Sequence, residues 1–318
     1  MKAVFLDFDT VSAGDIDTAS LDAALPDMHY FGTSDPAQVT ERIADAEVLL
    51  INKIRVDAAV IAAAPKLRLV CAAATGTDNI DMDAAGARNI AVCNIRDYCT
   101  ASVVQHVFAL LLALNHHLDG YGKLLAAGEW RQHPQFCMLN YPILELDGLK
   151  LGIVGYGTLG RATARAAGAF GMEVLVARSL GGSQAGDERL PLDDVLAQSD
   201  VISLHCPLNA ATRHMIDEAA LARMKPSAFL INTARGALVD ASALADALRA
   251  GRLAGAGIDV LEQEPPVDGN PLLADDIPNL IVTPHVAWAA RAARQRAVDE
   301  MALNARAFLA GEQRNRVI

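Results

Sequence analysis

The residues best equipped for chemistry fall in four short segments of the second half of the chain. Leu151-Gly-Ile-Val-Gly155-Tyr156-Gly157-Thr158-Leu159-Gly160 is a glycine-rich turn. Asn232-Thr233-Ala234-Arg235-Gly236 carries a cation, Gly257-Ile-Asp259-Val-Leu-Glu262-Gln-Glu264-Pro265 carries three acids, and Thr283-Pro284-His285 ends in an imidazole. The glycine turn follows an apolar stretch and precedes a helix-compatible run, Arg161–Phe170. In that setting Gly155 permits a tight turn, Gly157 lets backbone amides approach a pyrophosphate, and Gly160 lets helix pack closely on strand, with the helix N-terminus facing the anion. The pattern predicts a dinucleotide site. About twenty residues on, where an acid would hold the adenosine ribose hydroxyls, the sequence has Arg178-Ser179. Arginine cannot accept those hydroxyl hydrogen bonds but can pair with a 2′-phosphate, assisted by Ser179. NADP(H) is therefore favoured, with NAD(H) left open.

Such residues need elements to bring them together. Short, continuously apolar runs occur at Ala3–Leu6, Val48–Ile51, Leu69–Ala73 and Ile90–Cys93. They recur at Leu151–Val154, Val174–Ala177, Val201–Leu204, Ala228–Ile231, Ala256–Val260 and Leu280–Val282. Continuous apolarity marks strands of a parallel sheet covered on both faces. Helix signals lie between them: Asp35-Pro36 as N-cap and first residue, Asp217 before Glu218–Met224, Asp240 before a helix ending near Ala250, and Gly251 as its left-handed stop. The expected fold is α/β: two doubly wound parallel-sheet domains, Rossmann-like or flavodoxin-like, with a cleft between them. The junction is expected after Cys93, where Asp97–Thr100 precede an apolar helix beginning near Ala101. A terminal helix over Ala289–Leu309 that returned to the first domain would make it discontinuous. The expected division is 1–99 plus 289–318 for a substrate domain and 100–288 for a dinucleotide domain. The stretch Gly181–Gly186 reads as a surface loop. Ligands of open sheets bind outside the carboxyl ends of strands, so the loops of Arg235, Glu264 and His285 should converge beside Gly155–Gly160.

The 318 residues are 52% hydrophobic and 20% charged, enough to bury sizeable cores, and the net charge is −11. That balance argues against a nucleic-acid or anionic-membrane binder, which needs a basic face. It leaves room for a small anionic substrate held by one or two local cations. Asp7 and Asp9 interrupt the apolar core that an export signal would need. Ala101–Leu118 contains Gln105, His106, Asn115, His116 and His117, which suits a buried helix better than a membrane span. The scattered cysteines Cys71, Cys93, Cys99, Cys137 and Cys206 lack any C-x-x-C and read as buried free thiols of a cytoplasmic protein. No zinc, acyl-transfer or P-loop motif is present, and no metal is expected.

With these motifs in order, the sequence resembles the D-isomer-specific 2-hydroxyacid dehydrogenases over essentially its whole length. The matching patterns are Gly152–Gly160, Asn232–Asp240, Gly257–Pro266, Thr283–His285 and, earlier, Ala74-Thr-Gly-Thr-Asp-Asn-Ile-Asp81. Phe136–Leu146 and His285-Val-Ala-Trp288 look most like the glycerate dehydrogenase and hydroxypyruvate–glyoxylate reductase branch. The resemblance implies hydride transfer between NAD(P)H and a small 2-oxo acid, glyoxylate or hydroxypyruvate leading. It implies that Arg235 binds the substrate carboxylate and polarises the C2 oxygen. It makes His285 the acid/base and Glu264 the carboxylate that orients its ring and favours its protonated form. The Thr75-Gly76 backbone would clamp the carboxylate, and Asp259 would contact the nicotinamide carboxamide. The cofactor would also meet Tyr156, Thr158, Leu159, Cys206, Pro207, Thr233, Ala234, Arg235 and His285. A homodimer through the cofactor domains is implied, by way of Ala101–Leu114 and Phe136–Leu146.

Plainer readings stand beside these. His29, His106, His116, His117, His133, His205 and His214 read as structural. Asp259 and Glu262 also read as surface acids. Asn52 and Lys53 line the substrate cleft or, for Lys53, form a solvated loop charge. Trp288 closes the pocket or packs at the hinge, with packing favoured. A second class is a dinucleotide-sensing, corepressor-like binding protein of the same fold. Formate dehydrogenase relatives place Gln where Glu264 stands, which disfavours that chemistry.

Overall fold

The computed structural model describes residues 1–179 and 189–318; the loop expected at Gly181–Gly186 lies outside them. The chain divides into two compact units, 1–99 with 288–318, and 100–287.

Among the described residues, the first unit is built on a five-stranded sheet. Its strands are β1 (Lys2–Phe5), β2 (Asp27–Tyr30), β3 (Val48–Ile51), β4 (Leu69–Ala72) and β5 (Ala91–Cys93), in the order β2-β1-β3-β4-β5, all parallel. The alternation of a strand's side chains divides the core. Ala3, Phe5, Val48, Leu50, Leu69 and Cys71 face one layer, where the helix Arg291–Leu309 lays down Ala293, Ala297, Val298, Met301 and Ala305. Val4, Leu49, Ile51, Val70 and Ala72 face the other, against Val39, Ile43 and Ile61. Both faces are covered, so β3 and β4 are buried throughout and read as unbroken apolar runs. The strand β2 does not fit that rule. Its sequence DMHY alternates exposed and half-buried residues at the sheet edge, and a search for apolar runs passes over it.

Among the described residues, the second unit carries a six-stranded parallel sheet: β6 (Lys150–Val154), β7 (Glu173–Val176), β8 (Val201–Leu204), β9 (Phe229–Asn232), β10 (Gly255–Ile258) and β11 (Leu280–Val282). The order is β11-β10-β9-β8-β6-β7. The helix Thr100–Asn115 is core: Val103, Val107, Phe108, Leu110, Leu111 and Leu114 are buried. It packs so close to β10 that a Cβ on Gly257 would lie 2.9 Å from Leu110 Cβ. Those apolar residues of the helix are buried within the unit. Among the described residues no single helix is long and apolar enough to cross a membrane.

Local signals act where the sequence places them. Asp35 and Gln38 form a reciprocal capping box around Pro36. Asp217 and Asp240 accept backbone N–H groups at their helix starts, and Gly251 takes φ +63° just past the second. All five cysteines are free thiols; Cys71 and Cys93 are buried, while Cys99, Cys137 and Cys206 are only partly so.

Candidate active site

The second sheet turns at β6. From β6 the chain moves outward to β7, then returns to β8 on the other side. Ligands of open parallel sheets bind outside the carboxyl ends at such a point. The Gly155 turn follows β6, and His205–Cys206 follow β8. Gly155 has φ +96°, and a Cβ there would lie 2.5 Å from Cys206 N. A Cβ on Gly160 would lie 2.1 Å from Gly155 O, whereas one on Gly157 would meet nothing within 4 Å. The first and third glycines let backbone pack on backbone; the second faces open space. Among the described residues no side chain caps the helix Thr158–Ala169 that starts here. The turn therefore suits a pyrophosphate laid against a helix N-terminus.

A second observation points the same way. Among the described residues, five buried side-chain polar atoms have no hydrogen-bond partner, and three of them stand just past successive strand ends. They are Arg178 Nε after β7, His205 Nδ1 after β8 and Thr233 Oγ1 after β9. Buried orphans are costly and rare, and a row of them fits a ligand edge. Arg178 Nη2 donates to Arg189 O at 3.1 Å, which ties the guanidinium to the chain at the end of the second strand. Burial pushes the His205 ring down to about 4 and the Cys206 thiol up to about 11, so both are neutral groups here.

The Arg235 loop is braced from within. Asn232 Nδ2 donates to Arg235 O at 2.9 Å, and Ala234 N donates to Asn232 Oδ1 at 3.0 Å. A Cβ on Gly236 would lie 2.0 Å from Leu261 C, so only glycine lets this turn press on the Leu261–Glu262 backbone. Half-buried Arg235 is in this way set beside the acid-bearing segment. There Glu264 Oε2 lies 2.6 Å from His285 Nδ1, while Glu264 Oε1 accepts from Leu261 N at 2.8 Å. One carboxylate oxygen holds the ring and the other holds the loop.

His285 sits at φ +55°, a left-handed backbone that costs a non-glycine residue about 1–3 kcal/mol. Its N–H donates to Asp259 O at 2.7 Å. The Asp259 carboxylate, 1% exposed, accepts from Thr283 Oγ1 (2.5 Å), Val286 N (2.9 Å) and Ala287 N (2.9 Å), with His106 Nε2 3.4 Å away. Burial acts to raise its pKa, but His106, Thr283 and the two amides outweigh burial and hold it below the usual carboxylate range. Asp259 is therefore no surface acid; its oxygens are occupied by the loop that carries His285. Glu262 is exposed and pairs with Arg213 and His214. His106 gave no signal of its own beyond a histidine in an apolar helix, yet its Nε2 is 3.0 Å from Thr283 Oγ1.

In the first unit, Asn52 is buried and its amide donates to Thr10 Oγ1 at 3.0 Å. Lys53 is exposed, its Nζ 5.7 Å from the Trp288 ring centroid. Trp288 packs on this unit's core with Tyr98, ring centroids 6.4 Å apart. Thr75 Oγ1 donates to Ile95 O at 2.8 Å, and Asn94 Nδ2 donates to Thr75 O at 2.8 Å. Among the described residues no group of three His, Cys, Asp or Glu side chains is placed to hold a metal.

Room for a pyrophosphate at one strand end, and an imidazole held by a carboxylate on the neighbouring loops, define an oxidoreductase domain that works with a dinucleotide. The model for the D-isomer specific 2-hydroxyacid dehydrogenase NAD binding domain matches residues 108–287. Glycerate dehydrogenase from Methylorubrum extorquens is 44% identical over 307 residues, 94% of this chain and 96% of that protein. Hydroxypyruvate reductase from Blautia hydrogenotrophica is 38% identical over 320 residues, 99% of each chain. The crystal structure of the TT0316 protein from Thermus thermophilus superposes with a TM-score of 0.87 at 33% identity, covering all of both chains. The chain belongs to the D-isomer-specific 2-hydroxyacid dehydrogenase family. It is an enzyme that moves a hydride between a nicotinamide dinucleotide and a 2-oxo acid or the corresponding D-2-hydroxy acid.

Proposed function

We propose that this enzyme reduces hydroxypyruvate or glyoxylate, with NADPH preferred over NADH. The observation that carries the chemistry is the 2.6 Å contact between Glu264 Oε2 and His285 Nδ1. A carboxylate on Nδ1 fixes the tautomer and leaves Nε2 as the nitrogen that exchanges a proton with substrate. A dihydronicotinamide, when bound, would supply the hydride that the carbonyl carbon of the 2-oxo acid takes up. His285 Nε2 gives a proton to the carbonyl oxygen, so that hydride and proton together make the alcohol; oxidation runs the same transfers backward. Arg235 holds the substrate carboxylate and draws charge toward the C2 oxygen as it develops. The Thr75–Gly76 backbone, Asn52 and Lys53 are further contacts for the anion. Gly155–Gly160, with Tyr156, Thr158 and Leu159, take the pyrophosphate, and Cys206, Pro207, Thr233 and Ala234 line the dinucleotide. Asp259 holds the His285 loop and brings its backbone to the nicotinamide side.

Support for NADPH is that Arg178 and Ser179, not an acid, directly follow the strand β7 and Ala177, and that Arg178 Nε has no hydrogen-bond partner among the described residues. Phe136 and Leu139, 90% and 84% exposed, support a homodimer in which that segment is covered by a second copy. Free thiols support a cytoplasmic setting. A panel of 2-oxo acids run with both cofactors tests the reading. Higher kcat/KM with NADPH, and with hydroxypyruvate or glyoxylate over pyruvate, is expected. A clear NADH preference ends the cofactor assignment. Dinucleotide binding without turnover of any acid points instead to a sensing protein.

A further inference from the structure

The first sheet has a turning point of its own. The chain leaves β1 for β2 and returns on the other side of β1 as β3, so the carboxyl ends of β1 and β3 flank the position where an open parallel sheet takes its ligand. Asp7 stands just beyond β1, and Asn52, Lys53 and Ile54 follow β3. The Asp7 carboxylate, 3% exposed, accepts from the N–H groups of Asn52 (2.9 Å), Lys53 (2.6 Å) and Ile54 (3.1 Å). Successive backbone amides turned onto one anion are how loops hold a bound phosphate or carboxylate. Here the anion is the chain's own side chain, and the position is filled from within.

The segment is fixed from both sides. Thr10 Oγ1 donates to Asp7 O at 2.6 Å and accepts from Asn52 Nδ2. Asn79 Nδ2 donates to Ile54 O at 2.7 Å and reaches Asn52 O at 3.4 Å. Asn52 is buried and Ile54 half-buried, which leaves Lys53 as the exposed side chain of the three.

We propose that Asp7 is a positioning residue for the substrate: by filling the turning point of the first sheet with its carboxylate, it fixes the Asn52–Ile54 backbone and so the place from which the Lys53 ammonium meets the substrate anion. This rests on Lys53 being a substrate contact. An Asp7→Asn amide offers one acceptor oxygen where the carboxylate offers two, and its NH2 group faces amide donors. The segment then loses its single register.

The test is steady-state kinetics with hydroxypyruvate and NADPH for Asp7→Asn, Lys53→Met and the double variant, with thermal melts of each. Asp7→Asn and Lys53→Met should each raise the hydroxypyruvate KM by about tenfold, the scale of losing a hydrogen bond to a charged group. The NADPH KM should stay unchanged. The double variant should be no worse than Lys53→Met alone, because one acts through the other. Thr10→Val, which takes away the Asn52 amide's acceptor, should move the same KM in the same direction by less, and serves if Asp7→Asn does not fold. Val39→Ala, a cavity in the core layer on which Ile54 packs that removes none of this segment's hydrogen bonds, supplies the effect of lost packing alone. The proposal is overturned if the Asp7→Asn and Lys53→Met effects multiply, or if Asp7→Asn moves KM no more than Val39→Ala does. If Lys53→Met leaves KM at the parent value, the substrate role of Lys53 has failed and takes this inference with it. If Lys53→Met raises KM and Asp7→Asn does not, only the inference falls.

Discussion

The two sheets share a strand order around their turning points, a first strand flanked by the second and third, and they treat that position in opposite ways. In the second unit, Gly155 lets backbone pass against Cys206, and Gly157 leaves open space. In the first unit the corresponding position is filled by the Asp7 carboxylate and three backbone amides. One turning point keeps open space at Gly157, where we propose the pyrophosphate sits; the other supplies an anion of its own. Topology creates the position, and the residue just past the first strand decides whether it becomes a binding site or a brace. Under the proposed function the two units divide the labour: the second carries the reacting groups, and the first holds loops braced by its own hydrogen bonds.

The largest expected effect tests that division directly. His285→Ala should lower kcat for reduction by about 10²–10⁴-fold, the usual worth of a positioned general acid. The loop must be kept intact for the result to be read. His285→Asn serves, because asparagine tolerates the left-handed backbone at φ +55°. The Asn variant should lose the same kcat with an unchanged melting temperature and a nearly unchanged hydroxypyruvate KM. Turnover near the parent value in either variant would break the assignment of chemistry to the second unit.

The next effect separates space kept for a ligand from space kept for packing. A methyl on Gly160 meets the Gly155 carbonyl at 2.1 Å, so Gly160→Ala must shift backbone, with an expected loss of about 1–3 kcal/mol and a lower melting temperature. Gly157→Ala meets nothing within 4 Å and sits at φ −78°, ordinary for any residue. It should leave the melt unchanged and still weaken dinucleotide binding, read by fluorescence titration with NADPH. If Gly157→Ala binds the dinucleotide as tightly as the parent, the turning point of the second sheet does not take the pyrophosphate, and the contrast between the two sheets loses its functional meaning.

The same contrast explains what was legible in the sequence. The strands β3 and β4 are buried on both faces and stand out as unbroken apolar runs; β2, at an edge, alternates and does not. Helix starts at Asp35, Asp217 and Asp240 were readable because a cap and its partners are near neighbours along the chain. The second unit's candidate site is legible for a related reason. Glycines that must be glycine, and charged residues at strand ends, write contiguous motifs. The brace in the first unit writes none. Asp7 lies 45 residues from Asn52, and what it binds is backbone N–H, which almost every residue has. His106 is separated from Thr283 by 177 residues, and alone it is a histidine in an apolar helix. The Asp259 carboxylate was visible as an acid in a motif, but its burial, and hence its service to the His285 loop, depended on packing.

The smallest expected effect concerns stability, and it bears on the orphaned atom beside the dinucleotide turn. His205 Nδ1 is shut from water without a partner, and burial holds the ring near 4 against an ordinary 6.5. Between those values the unfolded chain carries a proton that the folded chain does not. Stability of the second unit therefore falls as pH drops from 6.5 toward 4, by an amount on the order of 1–3 kcal/mol for a shift of this size. A group whose neutral form is enforced by burial gives the opposite sign to a histidine that gains a carboxylate. His205→Asn should flatten this part of the curve: urea melts at pH 7.5 and pH 5 should differ less for the variant than for the parent. Added NADPH sharpens the reading. If the Nδ1 edge belongs to the dinucleotide site, saturating cofactor should stabilise the parent more than His205→Asn at pH 7.5, where the ring is neutral in both folded and unfolded chains and any difference comes from the ligand alone. Equal stabilisation would leave His205 a buried structural ring and would remove one of the three orphaned atoms from the ligand edge.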